Sequence, residues 1–348
     1  MKKSLIAAAV AAVVAAPAAM ADITMGGQLQ AEIVSASGDG SNSGVYLTDG
    51  WEGGAGGDNK GNASAFFVKG AHKMGGLTGL YKLNFNPKYN TSDSYDAIKG
   101  QTVTSGPSIG VRDAFIGLQG GFGTVLAGRI ATPYKTSTVK WDPFLATFLQ
   151  ARGNNGMSAL HNGYADDVVA YANKFGPATV VAAVAFDESD DNPNGDGDAD
   201  GDHALTASVN VPVGPVEVAI AYIDTGGIHG LVDGASDYEA AKIGVKFSSG
   251  AITVAGHYET IDQGGNDLAD VMYVTGSFKA GSNTFAASYG QTSPDTGDDA
   301  TYWAVGVKHA FSKKVSTLIG VTGSDNFDFS DATDDDITRF GISTRVKF

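Results

Sequence analysis

The chain has 348 residues, no cysteine, 48 glycines and a formal net charge of -15 at pH 7. Without cysteine, a disulfide framework, a thiolate metal site and a cysteine nucleophile are excluded. The acidic charge also disfavours nucleic acid as a partner, because phosphate binding requires a basic surface. The glycine fraction is about twice the usual one and indicates a fold rich in turns.

The first 21 residues have the three zones of a secretory signal peptide. A cationic start at Lys2 and Lys3 precedes an apolar run over residues 5–16, and Ala19-Met20-Ala21 supplies a small-x-small cleavage site. The run is alanine-rich and shorter than the roughly 20 strongly apolar residues of a membrane helix. We therefore expect cleavage after Ala21, which leaves residues 22–348 as the mature domain.

Alternation of apolar and polar residues recurs along the rest of the chain, in segments of about ten residues. It is clearest at the end, where Phe340 and Ile342 would share one face, and Arg339 and Arg345 the other. A tilted β-strand of about this length crosses a bilayer, and a period of two with one apolar face is typical of transmembrane barrel strands. No window after the signal peptide approaches the roughly 18 apolar residues of a membrane helix.

The linkers between these segments alternate between two kinds. Seven are tight and contain no Asp or Glu, at residues 75–76, 120–123, 176–177, 212–215, 248–250, 280–282 and 312–314. Eight are longer and mostly acidic, at residues 36–61, 89–108, 131–164, 188–201, 226–236, 262–268, 292–299 and 326–334. A secreted soluble sandwich or propeller has no reason to sort acids in this way. The pattern predicts an all-β, transmembrane antiparallel β-barrel of about sixteen strands, with both termini on the short-turn side.

Two motifs carry a family resemblance. Residues 112–129, RDAFIGLQGGFGTVLAGR, resemble the R-x-x-F-x-G-L-x-G-x-F-G hairpin and its G-R continuation in general diffusion porins of Gram-negative outer membranes. Phe348 is similar to the terminal aromatic residue that these porins present to the barrel-assembly machinery. The resemblance implies a homotrimer in the outer membrane, surrounded by lipid and lipopolysaccharide, that passes small hydrophilic solutes and ions. It also implies that the third loop, residues 131–164, folds inward; a loop of this length is expected to be functional.

Charged residues of the third loop and the neighbouring wall are candidates for the pore constriction. The loop has one acid, Asp142, where the family usually has several, and we expect it to face Arg129 and Arg152. Strand parity adds the lumen candidates Lys69, Lys82, Glu32, Glu217 and Glu259. Formal charge at the constriction alone would predict anion preference. The acidic charge of the whole chain, together with the three glutamates, leads us to expect modest cation selectivity.

An acidic run at residues 187–202 is the strongest candidate for a metal site. Asp196, Asp198 and Asp200 match the first half of an EF-hand loop, but the twelfth position is Ala207 where the motif requires Glu. Without the bidentate ligand, we expect at most weak Ca²⁺ or other divalent-cation binding and no further cofactor.

Motifs of known enzymes are absent from the sequence: it has no G-x-S-x-G, H-E-x-x-H or phosphate-loop pattern. We therefore predict a pore without enzymatic activity. Two alternatives stay open. One is an outer-membrane barrel hydrolase, for which His257, Asp224 and Ser288 would have to meet in three dimensions. The other is an acidic calcium-binding surface or adhesion protein. Conductance in a planar bilayer separates both from a pore.

Overall fold

The computed structural model describes residues 23–38, 44–48, 50, 63–88, 93–96, 101–104, 108–152, 154–186, 203–226, 237–325 and 336–348. The expected signal peptide and the acidic run at 187–202 lie outside these residues. The strands are β1 Thr24–Gly38, β2 Gly44–Thr48, β3 Ala65–Met74, β4 Leu77–Lys88, β5 Asp93–Asp96, β6 Gln101–Thr104, β7 Ser108–Gly120, β8 Gly123–Ala131, β9 Tyr164–Phe175, β10 Ala178–Phe186, β11 His203–Val213, β12 Val216–Asp224, β13 Tyr238–Ser249, β14 Ile252–Gln263, β15 Asn266–Ala280, β16 Asn283–Pro294, β17 Ala300–Ala310, β18 Val315–Ser324 and β19 Ile337–Lys347. A short helix, α1 Pro133–Thr138, and two 3₁₀ turns, Val139–Trp141 and Ala159–Asn162, lie in the third loop.

Seventeen of these strands form one antiparallel sheet that closes on itself. Neighbours along the chain pair with each other, β4 pairs with β7 across the second loop, and β1 pairs with β19 to complete the ring. Strands β2 and β3 together occupy the position next to β1 in the wall. β2 pairs with the C-terminal half of β1, and β3 pairs with its N-terminal half. Strands β5 and β6 form a separate ribbon. The predicted all-β barrel of sixteen strands is confirmed, with β2 as one extra strand.

The seven predicted tight turns all join neighbouring strands of the barrel. The expected long loop at residues 262–268 is wrong, since β14 and β15 are joined by the two residues Gly264 and Gly265. Both glycines have positive φ, 56° and 78°, which the commonest two-residue hairpin turn requires. The flanking acids, Asp262 and Asp267, belong to the strands and extend the hairpin.

Side chains alternate between the lumen and the outer surface of the barrel. In β13 the predicted outward residues Ala241, Ile243, Val245 and Phe247 are all exposed, with Ile243 at 54%. Lys242 between them is 3% exposed and faces the lumen. Among the described residues, no helix combines the length and the hydropathy needed to span a membrane.

The third loop supplies much of the buried apolar surface. One cluster joins Tyr134 and Leu160 of the loop to apolar residues, many of them alanine, on the lumen face of β7 to β15. Another joins Phe144, Phe148 and Leu149 to residues of β1 and β15 to β18. Burial of apolar surface therefore occurs where the loop lies against the inside of the wall, and this contact positions the loop in the lumen.

The ends of the barrel wall meet at Phe348. Its backbone N–H donates to the Gly27 carbonyl at 3.0 Å, and the Gly27 N–H donates to the Phe348 carbonyl at 3.2 Å. A Cβ atom at Gly27 would lie 2.8 Å from the Phe348 ring, so glycine leaves the space that the terminal ring occupies.

Candidate functional site

The third loop turns into the lumen through a capped helix at its start. Thr132 accepts a hydrogen bond from the Lys135 N–H through its side chain at 3.2 Å, and Pro133 occupies the first turn of α1. The Thr132 N–H donates to the Gly163 carbonyl at 3.3 Å, so the two ends of the loop are tied together. The loop therefore begins and ends at the same place on the wall, and the residues between its two ends extend into the lumen.

Glycines of the wall receive the large side chains of the loop. A Cβ at Gly244 would lie 2.6 Å from the Trp141 ring, and one at Gly306 would lie 2.9 Å from both Phe144 and Leu149. The same holds for Leu149 over a third glycine and Phe148 over a fourth. We call this set the glycine track, and its members are Gly244, Gly306, Gly320 and Gly341. Any larger residue there would push the loop away from the wall.

The tip of the loop is held by polar residues of β1 and β19. Glu32 accepts hydrogen bonds from the Phe148 N–H at 3.0 Å and from the Gln30 amide at 2.9 Å. The Ala146 carbonyl accepts from Gln30 at 2.7 Å and from Arg345 at 3.2 Å. Glu32 faces the lumen as strand parity predicts, but it is 1% exposed and anchors the loop.

A second anchor lies at Glu259, a fully buried residue of β14. One of its carboxylate oxygens accepts hydrogen bonds from the Tyr134 hydroxyl and the Ser158 hydroxyl, both at 2.7 Å. Lys242 of β13 donates to the Tyr134 carbonyl at 2.9 Å. The loop is thus bound on both sides of its base by groups of opposite charge on adjacent strands.

His161 and His257 lie beside Glu259, and these three could hold a metal ion by residue type, since their ligand atoms lie within 4.8 Å of one another. Two features disfavour a metal. The two rings are 26° from parallel with centroids 5.2 Å apart, so no nearby point lies in both ring planes. Lys242 Nζ lies 2.8 Å from His161 Nε2, where its charge would oppose a bound cation. Burial is the main cause that lowers the pKa of His161 well below its usual range, which keeps it neutral.

Two facing atoms of this cluster lack a hydrogen-bond partner because the contact between them is poorly aligned. His257 Nε2 and Glu259 Oε1 are 2.9 Å apart, but the ring N–H is not directed at the oxygen, and neither atom has a well-directed hydrogen bond. We interpret the contact as electrostatic within a buried charge cluster that fixes the third loop.

Glu217, the third glutamate predicted to face the lumen, forms an ion pair with one neighbour and a hydrogen bond with another. Lys246 Nζ lies 2.5 Å from its carboxylate, and the Asn210 amide donates to it at 3.1 Å. The same Asn210 amide donates to the Ser137 carbonyl of the loop at 3.0 Å.

Asp142 and Arg152, expected at the constriction, are buried inside the loop instead. Asp142 is 3% exposed and accepts hydrogen bonds from the backbone N–H groups of Phe144 and Ala151, both at 2.9 Å. Burial raises the pKa of Asp142 to about 6. Arg152 is 2% exposed and donates to Gln150 at 3.1 Å, and burial lowers its pKa to about 10. Both residues shape the loop and do not line its open surface.

Arg129, the third expected constriction residue, is paired with Asp166, whose side chain is 63% exposed. Its Nε also donates to the Val111 carbonyl at 3.2 Å. The pairing of β8 with β9 shifts register between Gly128 and Ile130, so strand parity does not carry across this point. Arg129 therefore lies at the foot of the loop, apart from Asp142.

Among the described residues, the apolar clusters of the third loop include none from β3 or β4, and we infer that the passage left open by the loop borders these strands and the adjoining part of β7. Lys69 and Lys82, both lumen candidates from the sequence, are opposite each other in register. Lys82 Nζ lies 2.7 Å from the Asp113 carboxylate. Lys140 is exposed on the facing side of the loop, and it is close enough to Lys82 and Asp113 for both to affect its pKa, which burial chiefly lowers. The narrow region thus has three lysines and one paired acid.

Lumen-facing positions of the described strands carry more cations than acids. By the alternation of buried and exposed residues, the cations are Lys69, Lys73, Lys82, Lys174, Lys242, Lys246, Lys279, Lys308, Arg339, Arg345 and Lys347. The acids are Glu32, Asp113, Glu217 and Glu259, and all four are buried. Strand parity could have identified most of these cations and Asp113 from the sequence alone.

The residues of the hydrolase alternative do not assemble. His257 and Ser288 are buried on the lumen face, whereas Asp224 follows Ile223, a fully buried lumen residue, and lies on the opposite face of β12. The Asp224 carboxylate accepts a hydrogen bond from the Gly226 N–H at 3.0 Å.

Solved structures of other proteins share this architecture. The anion-selective porin from Comamonas acidovorans is 18% identical, with 94% of this chain and 100% of that chain covered and a TM-score of 0.73. The trimer form of OmpT from Vibrio cholerae is 16% identical, covering 94% and 99%, with a TM-score of 0.63. OmpF of Salmonella typhi, solved in complex with daunomycin, is 14% identical, covering 94% and 98%, with a TM-score of 0.65. At these identities the likeness concerns the fold.

The likeness in fold does not assign the chain to a family, whereas a comparison with family models does. No curated protein matches the chain. The family model described as Gram-negative porin matches residues 7–328, which is most of the sequence. The chain therefore belongs to the Gram-negative porin family and is an outer-membrane β-barrel.

Proposed function

We propose that this porin is a water-filled channel for passive diffusion of small hydrophilic solutes and ions, and that its narrow region prefers anions. The observation that carries the proposal is the position of the third loop. It is held by Glu32 and Glu259 against one side of the barrel, and it leaves a passage beside Lys69, Lys82 and Lys140. Rings of lysine or arginine are typical of anion-conducting pores.

The preference differs from the cation selectivity expected from the sequence. That expectation relied on Glu32, Glu217 and Glu259, which do face the lumen but are 6% exposed or less and bonded to neighbouring groups. A paired, buried carboxylate contributes little field to a passing ion, whereas an exposed lysine contributes more. The acidic outer segment at 187–202 lies outside the described residues, and its field is screened over about 8 Å at physiological salt.

Single-channel recording in a planar bilayer tests the proposal. We expect stepwise openings in KCl and a reversal potential of the chloride sign under a KCl gradient. The variant Lys140→Gln should reduce chloride preference, while Lys313→Gln, in a turn between β17 and β18, serves as the matched control. A closed membrane would support a hydrolase or adhesion protein. A potassium-sign potential would restore the sequence-based expectation.

We further infer that residues 1–21 are a cleaved signal peptide and that the mature chain forms a homotrimer. The trimer form of one structural relative supports the oligomer. Ala31, a small outward residue of β1, would let walls approach closely, whereas the Phe348 ring occupies the space beside Gly27, which the sequence also suggested for this role. A mature N-terminus at Asp22 and a trimer in native mass spectrometry are expected, and a monomer in mild detergent would count against it.

Partners outside the lumen also remain proposals. Phe348, where the barrel closes, is the proposed contact with the assembly machinery, and lipid and lipopolysaccharide are the proposed surroundings. Weak divalent-cation binding by Asp196, Asp198 and Asp200 stays a prediction, which calorimetric titration with Ca²⁺ would check.

A further inference from the structure

Below the third loop, on the side of the chain termini, four cations share one stretch of the lumen wall. Lys279 of β15 and Lys308 of β17 both pair in register with Thr284 of β16, one from each side. Arg345 of β19 pairs with Ser316 of β18, and Lys347 follows on the same face. We call Lys279, Lys308, Arg345 and Lys347 the basic wall.

The basic wall faces the lumen, and the strands that carry it contribute no acidic side chain to it. Lys279, Lys308 and Lys347 are exposed, and Arg345 is half-buried. The segments 273–280, 283–290, 302–310, 315–322 and 339–348, which make up this part of the barrel, contain no Asp or Glu. Glu32 interacts with Arg345, but its oxygens already accept hydrogen bonds from Phe148 and Gln30.

The register places the four charges near one another. Lys279 and Lys308 lie at the level of Thr284 on either side of β16, and Arg345 lies on β19 beside Ser316 of β18, the strand next to that of Lys308. Holding like charges together in this way costs free energy, and a multiply charged anion between them would remove that cost. Thr284 of β16 lies between Lys279 and Lys308 on the neighbouring strands, and Ser316 of β18 lies beside Arg345. The hydroxyl groups of both residues can donate hydrogen bonds to the same anion.

We propose that the basic wall is a weak, saturable binding site for dianionic oxyanions carrying a phosphate group, placed between the constriction and the periplasmic exit. Between two cations a dianion gains about twice the Coulomb energy of chloride, so the wall discriminates by valence. Arg345 donates to Gln30 and to carbonyls of the third loop, so it contributes its charge to the wall, while the three lysines supply the direct contacts. This inference rests on the proposed channel function and adds a solute class to it.

The test is inhibition of the KCl current of the full-length channel by inorganic phosphate at pH 8, where the dianion predominates. We expect saturable inhibition in the wild type. In the double variant Lys279→Gln/Lys308→Gln, the half-inhibiting concentration should rise about fivefold to tenfold, since two exposed charge contacts are lost. Lys279→Arg/Lys308→Arg should restore inhibition, and Lys313→Gln/Lys314→Gln, in the nearby turn, is the matched control. Arg345 is left unchanged because it also holds the third loop.

Inhibition by glycerol 3-phosphate is measured in parallel, to distinguish a site for phosphate esters from a site for free phosphate. Inhibition by both compounds supports a site for the phosphate group, and inhibition by inorganic phosphate alone supports a site for the free ion. A conducting channel that phosphate does not inhibit, or equal inhibition of wild type and double variant, overturns the proposal while the channel function stands. Absence of any conductance would instead remove the channel function on which the proposal rests.

Discussion

The lumen has two unlike walls. The covered wall, where the third loop lies, presents the glycine track and buried anchors such as Glu32 and Glu259. The open wall, formed by β3, β4 and the adjoining part of β7, presents Lys69, Lys82 and Asp113 toward Lys140 of the loop. Shape and buried hydrogen bonds on one side decide where the loop lies. Charge on the other side is our proposed basis for ion selectivity.

Loss of the Glu259 anchor should have the largest effect. Glu259→Leu leaves Lys242 as a buried charge without its counter-charge and removes the acceptor for Tyr134 and Ser158. Breaking a buried pair in this way costs about 3 to 5 kcal/mol. We expect a matching loss in the free energy of unfolding, measured by urea titration, and a noisier open-channel current.

The double variant Glu259→Leu/Lys242→Met is the control for that prediction. Because it removes both charges, it should recover part of the lost stability. Equal stability of the single and double variants would show that the buried charges are not coupled.

Acidification should strengthen the third loop through Asp142. Its pKa is raised from 3.8 to about 6 by burial, so the folded loop binds a proton more tightly than the open loop does. The cost of burying the ionised form is present above pH 6 and disappears below pH 3.8. Between pH 7 and pH 4 the opening free energy should rise by about 2 kcal/mol relative to Asp142→Asn.

Hydrogen exchange of residues 140–152, corrected for the intrinsic rate, measures this opening. The comparison with Asp142→Asn cancels the opposite contribution of His161, whose lowered pKa makes the loop less stable in acid. Identical pH profiles for the two proteins would contradict the assignment of Asp142 to the loop interior.

A bulky residue on the glycine track should move the loop with a smaller loss of stability. In Gly244→Leu the new side chain would collide with Trp141, and overpacking of this kind costs about 1 to 3 kcal/mol. Displacement of the loop widens the passage, so single-channel conductance should increase. Gly276→Leu is the matched control, because a Cβ at that strand position would meet nothing within 4 Å. Unchanged conductance in Gly244→Leu would mean that the glycine track does not position the loop.

Charge changes on the open wall should alter selectivity with the least effect on stability. Lys82→Gln leaves the Asp113 carboxylate without its 2.7 Å partner, and chloride preference should fall strongly. Lys82→Gln/Asp113→Asn removes both charges and should return the reversal potential most of the way to the wild-type value. If the single variant has the wild-type reversal potential, the open wall does not set the selectivity.

Strand parity and turn chemistry were sufficient to predict the barrel, because each wall residue has only two directions in which to point. The same parity placed Glu32, Glu217 and Glu259 in the lumen. It could not reveal that each is buried by a loop distant in sequence, such as Phe148 on Glu32. The hairpin between β14 and β15 was missed, since its acids resembled those of a long loop. The extra strand β2 and the β5–β6 ribbon were also missed, because they lie within segments predicted as long loops.

The constriction could not be predicted in the same way, because a loop has no parity. Asp142 and Arg152 differ from Lys140 in exposure only through the way the loop folds back on itself. Arg129 was proposed from the hairpin motif of the family resemblance, and a motif match does not reveal its pairing with Asp166. Asp113 was accessible from the sequence, two residues before Phe115 on the same face.

The most direct test determines which face of the third loop lines the passage. Because the chain has no cysteine, a single introduced cysteine is the only thiol that can react. Single variants Lys140→Cys and Asp142→Cys would be treated with a charged, thiol-reactive methanethiosulfonate during bilayer recording. We expect the reagent to change the current through Lys140→Cys within the recording and to leave the current through Asp142→Cys unchanged. Rapid modification of Asp142→Cys with a protected Lys140→Cys would contradict it.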